Sequence, residues 1–388
     1  MDLKKSSVYK LSDSFNCLSS KKESSLVNVQ RNMAIKIIQK AIKEGTLEKE
    51  YSDVIRSVLE DLKNLQEKGQ YGFQITTYEA EEMENLTNDQ IIRYLFHRYR
   101  YLIYPIKKIL DNYPPCLQIE PASICNFRCR FCYQSDQSFN RKSSGFMGTM
   151  TLERFKKIID QIENHVEFVT LASRGEPLLA GDFIPMIEYT KGKFLGLKIN
   201  TNASVLTEKH IHAILSSEVQ TLVISADATE EPLYSQFRVN GNLKKILRNV
   251  ERLHDIREKY YPDAKTITRV SGVMIDPEKQ DIDSMRSFWG SLVDQVSFVK
   301  YSPWEKIYQA DPNSISTSCS DLWRRMFVWY DGKVSPCDND YKSTVKIGSI
   351  DETTISELWK SQRYQDLRGQ HLNADRCLLD PCKRCTVT

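Results

Sequence analysis

LQIEPASICNFRCRFCY, residues 117–133, sets a short apolar run directly ahead of three closely spaced cysteines, Cys125, Cys129 and Cys132. The run at 117–120 reads as a β-strand, so the thiols fall on a loop at its carboxyl end. Five further short apolar runs follow, at 167–172, 196–201, 220–226, 268–274 and 295–301. Amphipathic helices lie between them. The segment 151–162 carries Phe155, Ile158, Ile159 and Ile162 on one face, and 242–253 does the same with Leu243, Ile246, Leu247, Val250 and Leu253. Strands alternating with such helices are the pattern of parallel βαβ units. Six units predict an α/β fold over 114–301, built as an open doubly wound sheet or a partial barrel. Both place ligands at the carboxyl ends of the strands.

Outside this region the pattern changes. Residues 1–24 are rich in Ser and Lys and read as a flexible tail containing Cys17. Residues 25–113 read as a helical domain, with periodic segments at 29–42, 51–65 and 88–110. Gly45 separates the first two, Asn88 is placed to cap the third, and the prolines at 114 and 115 bar its continuation. From 302 to 388 the alternation stops and Trp, Gly, Pro and Cys dominate, with Trp304, Trp323, Trp329 and Trp359 available to build a compact core. The charge balance, 54 Lys plus Arg against 51 Asp plus Glu, gives no reason to expect a nucleic-acid partner. No apolar run is long enough to span a membrane and the N-terminus has no export signal, so a cytoplasmic protein is expected.

Ten cysteines in a reducing compartment are not a disulfide framework. Three thiols on one strand-end loop leave a structural zinc site one ligand short, whereas an iron–sulfur cluster held by three thiolates keeps one iron open to a small molecule. The spacing of Cys125, Cys129 and Cys132, with Phe131 and Tyr133 flanking the third, resembles the radical S-adenosylmethionine (SAM) superfamily. The resemblance implies a partial (β/α)6 TIM-like barrel. It also implies a [4Fe-4S] cluster on those cysteines that chelates SAM and cleaves it reductively to a 5′-deoxyadenosyl radical. Arg174-Gly175-Glu176-Pro177 resembles the family's G-G-E-P motif with Arg in place of the first Gly. Through these likenesses the SAM-binding candidates are Tyr133, Gly175, Glu176, Asn200, Asn202, Ser225 and Arg238. A zinc knuckle or simply buried thiols are the alternatives for the first cysteine group.

The later cysteines, Cys319, Cys337, Cys377, Cys382 and Cys385, resemble the SPASM and Twitch modules appended to some radical SAM enzymes. Gly332 lies between the first two, with Gly348 and Leu358-Trp359 further on. The resemblance implies one auxiliary [4Fe-4S] cluster on Cys319, Cys337, Cys382 and Cys385, with Cys377 spare; a zinc site on Cys337, Cys377, Cys382 and Cys385 is the alternative. A cluster with four thiolates has no vacant position, so its role is to accept an electron. That role points to oxidation, and the resemblance to Twitch enzymes implies a sugar or aminocyclitol alcohol as the substrate and a one-electron donor such as flavodoxin or ferredoxin. Peptide or protein maturation and a zinc-stapled interaction scaffold are the competing readings. No residue is assigned as the catalytic base; Glu305, Lys306, Asp338 and Asp340 are positional candidates. His210 and His212 are two apart, which excludes the i, i+4 metal pair.

Overall fold

The computed structural model describes residues 15–19, 23–64 and 72–388. It divides into two compact units, one spanning Ser19–Asp111 and one holding the sheet and everything from Asn112 onward. The first is helical: α1 (Glu23–Glu44), α2 (Lys49–Lys63), α3 (Thr77–Glu84) and α4 (Asn88–Lys107). Ala34, Ile38, Ile55, Val58, Leu62, Ile91 and Leu95 form its buried interior. The cap of α4 is Thr87 rather than Asn88, because Thr87 and Gln90 exchange side-chain to backbone bonds in a capping box. The same device, Thr76 with Glu79, starts α3, an element the apolar periodicity did not disclose.

Among the described residues ten strands make one sheet in the order β1-β7-β6-β5-β4-β3-β2-β8-β9-β10. Its centre is six parallel strands: β2 (Cys116–Ile119), β3 (Phe168–Leu171), β4 (Gly196–Thr201), β5 (Thr221–Ser225), β6 (Ile267–Met274) and β7 (Gln295–Lys300). Each is joined to the next through helix: α5 (Leu152–Ile162), α6 (Phe183–Tyr189), α7 (Glu208–Ser216), α8 (Glu231–Phe237) with α9 (Leu243–Tyr260), and α10 (Ile282–Gly290). This is the partial barrel implied by the family resemblance, one of the two forms that the alternation left open. Of the segment read as a tail, Phe15–Ser19 is instead a strand, β1, at the edge beside β7; residues 1–14 and 20–22 lie outside the described residues.

The register sorts the two faces by chemistry. Leu117, Ile119, Val169, Leu171, Leu197, Ile199, Leu222, Ile224, Val270 and Phe298 share the face that takes the helices, and all are buried. The interior face carries Gln118, Thr170, Lys198, Asn200, Ser225, Ser271 and Ser297.

The C-terminal module does not stand apart from this sheet. After α11 (Asp321–Arg324), β8 (Arg325–Val328) pairs parallel with β2, then β9 (Lys333–Ser335) and β10 (Gly348–Ser349) continue antiparallel. Gly332, at φ 84°, makes the β8–β9 turn, donating to the Trp329 carbonyl at 2.9 Å. Two helices, α12 (Ile355–Lys360) and α13 (Gln362–Leu372), complete the module, and Trp323, Trp329 and Trp359 are buried in it.

Candidate active site and auxiliary cysteine site

The cysteine loop after β2 is fixed along its length. Arg128 and Arg130 donate their backbone N–H groups to the carbonyls of Val239 and Phe237, and Cys132 N–H donates to the Cys129 carbonyl. Gln134, 1 % exposed, donates to the carbonyls of Ser123 (2.7 Å) and Arg174 (2.5 Å), and the Tyr133 hydroxyl donates to the Ser173 carbonyl at 3.0 Å. The loop and the end of β3 are thereby one structure. Gly175 sits where they press together: a Cβ there would stand 2.4 Å from the Ile124 carbonyl oxygen and 2.5 Å from that of Ala122, so no side chain fits.

Glu176 links this pair to the end of β4. Its carboxylate accepts from Thr201 Oγ1 at 2.6 Å and from Asn202 N–H at 2.7 Å. Burial pushes its pKa up to about 7 against these bonds. Asn202 in turn donates to Asn126 at 3.0 Å and lies 4.0 Å from Cys125 Sγ. Asn200 is on the interior face of β4 with Oδ1 buried and unpartnered, and Ser173 Oγ is likewise unpartnered at the end of β3. Two unsatisfied polar atoms, one on β4 and one just past β3, are what a bound polar cofactor supplies partners for. Ser225 ends β5, in register with Ser271. Arg238 reaches Cys129 Sγ at 4.0 Å, lies 5.5 Å from the Phe131 ring centroid, and is bound by Asp227 at 2.7 Å.

Arg174, the departure from the G-G-E-P pattern, turns away from this site. Its guanidinium forms a two-bond pair with Glu120 at 2.7 and 2.6 Å, donates to the Tyr341 carbonyl at 2.9 Å, and stacks 4.1 Å from the Trp329 ring centroid. Glu120 is fully buried and also accepts from the Tyr330 N–H. A residue read as a motif variant is therefore the clasp between barrel and module. Only long-range contacts reveal this.

In the module, Cys319, Cys337, Cys382 and Cys385 line one cavity, while Cys377 is exposed and outside it. Among the described residues no three His, Cys, Asp or Glu side chains converge closely enough for a single metal ion; the four thiols surround a space instead. Burial pushes the Cys319 and Cys382 thiols to about 12, and burial with Glu176 nearby does the same to Cys125. Such thiols become thiolates only against a cationic partner, which a cluster's iron supplies. His371 and Arg376 also border the cavity, and neither is marked by any sequence pattern.

An aromatic group joins the two cysteine sites. Tyr133, Phe139, Ile307 and Tyr341 form a buried cluster on which both Cys132 and Cys385 pack. Glu305 lies at its edge, 7 % exposed, accepting from the Tyr301 hydroxyl at 2.5 Å with its second oxygen unpartnered. Asp340 is taken up by donors from Tyr308, Thr344 and Val345.

Comparison with known proteins agrees with this arrangement. Residues 119–268 match the radical SAM superfamily and residues 319–386 match an iron–sulfur cluster-binding domain, the SPASM domain. Residues 119–268 are a radical SAM domain. The chain is a radical SAM enzyme with a SPASM module, and its cofactors are SAM and [4Fe-4S] clusters. It is similar to the cysteine-type anaerobic sulfatase-maturating enzyme of Clostridium novyi (strain NT), with 25 % identity over 323 residues, 69 % of this chain and 84 % of that one. It is 22 % identical to the mycofactocin maturase MftC of Mycolicibacterium smegmatis over 48 % of its own length and 45 % of the relative's. The fold is similar to that of Streptococcus suis SuiB solved with S-adenosylmethionine, at TM-score 0.50 and 13 % identity, covering 86 % of this chain and 82 % of that one. Among the described residues no helix is long and apolar enough to cross a membrane.

Proposed function

We propose that this radical SAM enzyme is an oxidoreductase that converts an alcohol carbon of a sugar or aminocyclitol to a carbonyl. The observation that carries this reading is the single cavity lined by Cys319, Cys337, Cys382 and Cys385. Four protein thiolates saturate one cluster, leaving it suited to accept an electron and not to bind substrate. Bound SAM, with the cluster on Cys125, Cys129 and Cys132, supplies hydrogen-atom abstraction. Removal of that hydrogen atom, one proton and one electron from a CH–OH group gives C=O.

The chain's own residues have distinct parts in this proposal. Gly175 lets the β3 end close on the cysteine loop, and Glu176, Asn200, Asn202, Ser225, Tyr133 and Arg238 are the residues proposed to bind SAM. Glu305 is the candidate proton acceptor, because it is buried just past the carboxyl end of β7 and one of its oxygens has no hydrogen-bond partner. Gln118, Thr170, Asn200, Ser225, Ser271 and Ser297 give the barrel interior the hydrogen-bonding lining that a hydroxyl-rich substrate needs. A flavodoxin or ferredoxin is the proposed source of electrons.

A second reading, modification of a peptide or protein, is favoured by the similarity to two proteins named as maturases. Anaerobic incubation with SAM, a reductant and a panel of deuterated aminocyclitols and sugars separates the two. Substrate-dependent 5′-deoxyadenosine carrying deuterium, with a matching carbonyl product, supports the first. Deuterium transfer only from a peptide overturns it in favour of the second.

A further inference from the structure

Arg376 is 1 % exposed, yet its guanidinium meets only neutral acceptors: the carbonyls of Cys385 (2.6 Å), Thr317 (3.0 Å) and Cys382 (3.3 Å). Two of these belong to cysteines of the auxiliary cavity, and the arginine itself borders that cavity. The acids lining the same space are engaged elsewhere. Asp321 faces Arg325 at 3.3 Å and Arg324 at 3.9 Å, and Asp340 accepts from Tyr308, Thr344 and Val345. A second buried guanidinium, Arg368, lies nearby, packed against the Trp359 and Tyr364 rings at 4.2 and 4.1 Å from their centroids and donating to the carbonyls of Leu322 and Trp359. Among the described residues neither forms an ion pair. Buried cations held by carbonyls and rings alone are costly unless an anion completes the site. Four thiolates around a [4Fe-4S] core carry net negative charge, which increases on reduction.

We propose that Arg376 is the charge-compensating residue of the auxiliary cluster, holding its potential high enough to take the electron released by substrate. It acts through the cluster and is a positioning residue, not a catalytic one. The proposal rests on the reading that Cys319, Cys337, Cys382 and Cys385 hold a cluster. Arg376 removal destabilises the more negative, reduced state, whereas a lysine in its place retains the charge.

The test is an EPR-monitored redox titration of anaerobically reconstituted full-length enzyme, comparing wild type with Arg376→Gln and Arg376→Lys. SAM addition, which alters the signal of the first cluster, tells the two clusters apart. Arg376→Gln is expected to make reduction of the auxiliary cluster at least about tenfold less favourable, a midpoint about 59 mV more negative for one electron. Arg376→Lys stays near wild type, and the first cluster is unmoved in both. If only the lysine variant assembles the auxiliary cluster, the charge requirement is supported. Equal midpoints in wild type and Arg376→Gln overturn the proposal while leaving the two-cluster reading intact. Failure of both variants to assemble the cluster also overturns it, because packing and not charge is then the requirement. A wild type with one cluster overturns both.

Discussion

Replacing Arg174 by Met removes the cation of a buried pair and leaves Glu120, fully buried, with a charge facing no partner of opposite sign. Breaking a buried pair from one side costs about 3–5 kcal/mol, and loss of the stack on Trp329 adds about 0.5–2 kcal/mol. Against a total stability of about 5–15 kcal/mol this is a large fraction. Arg174→Lys keeps the charge but not the two-bond fork, and is expected to fall between wild type and Arg174→Met. The assay is urea unfolding followed by tryptophan fluorescence, which reports on the sheet-bearing unit because Trp329 is itself stacked on the guanidinium. The control is Glu120→Gln alone and combined with Arg174→Met. Coupling of about 2 kcal/mol or more is expected, since the second change removes the orphaned charge that the first creates. An Arg174→Met cost below about 1 kcal/mol, or strictly additive effects, would refute the clasp.

Three further outcomes follow from the two sites. Changing Cys125, Cys129 and Cys132 together to Ala is expected to abolish 5′-deoxyadenosine formation and halve the iron content from about eight to about four per chain; analysis of iron, sulfide and nucleoside products checks both. Cys377→Ser is expected to leave the iron count unchanged, whereas Cys382→Ser loses about four irons, and equal losses from the two would move the ligand assignment. Glu176, raised from the ordinary 4.5 to about 7 by burial, binds more protons in the folded than in the unfolded chain between those values. The apoprotein therefore loses up to about 3 kcal/mol as pH rises from 4.5 through 7. Glu176→Gln flattens that slope in denaturant titrations, and an unchanged slope assigns it to another group.

The central strands and both cysteine groups were legible because their signals are local. Val169 to Leu171 and Leu197 to Ile199 are short segments that alternate apolar and polar residues, and thiol spacing is read directly along the chain. The pairing of β8 with β2 was not, because four residues, Arg325–Val328, have no strand signature until the neighbour at Cys116–Ile119 is in place. Arg174 shows the same limit: its sequence context is that of a strand-end turn, and its partners Glu120, Trp329 and Tyr341 lie 54 to 167 positions away. Arg376 reads as an ordinary surface charge in Ala-Asp-Arg-Cys, and only its burial among carbonyls distinguishes it. The short helix at Thr77–Glu84 carried a readable sign in its Thr76–Glu79 box, but too few apolar positions to register as periodic.

The addition of β8 to the barrel has a consequence for the solubility of the chain. A six-stranded open sheet ending at β2 would present a row of unpaired N–H and C=O groups, a template for aggregation with other chains. Here that edge is sealed by β8, and the sheet then tapers through the three residues of β9 to the two of β10. So short a border offers little for a foreign strand to extend. The cysteine module is thus also the sheet's end cap, and a barrel cut free of it would gain a sticky margin along with the loss of its second cluster.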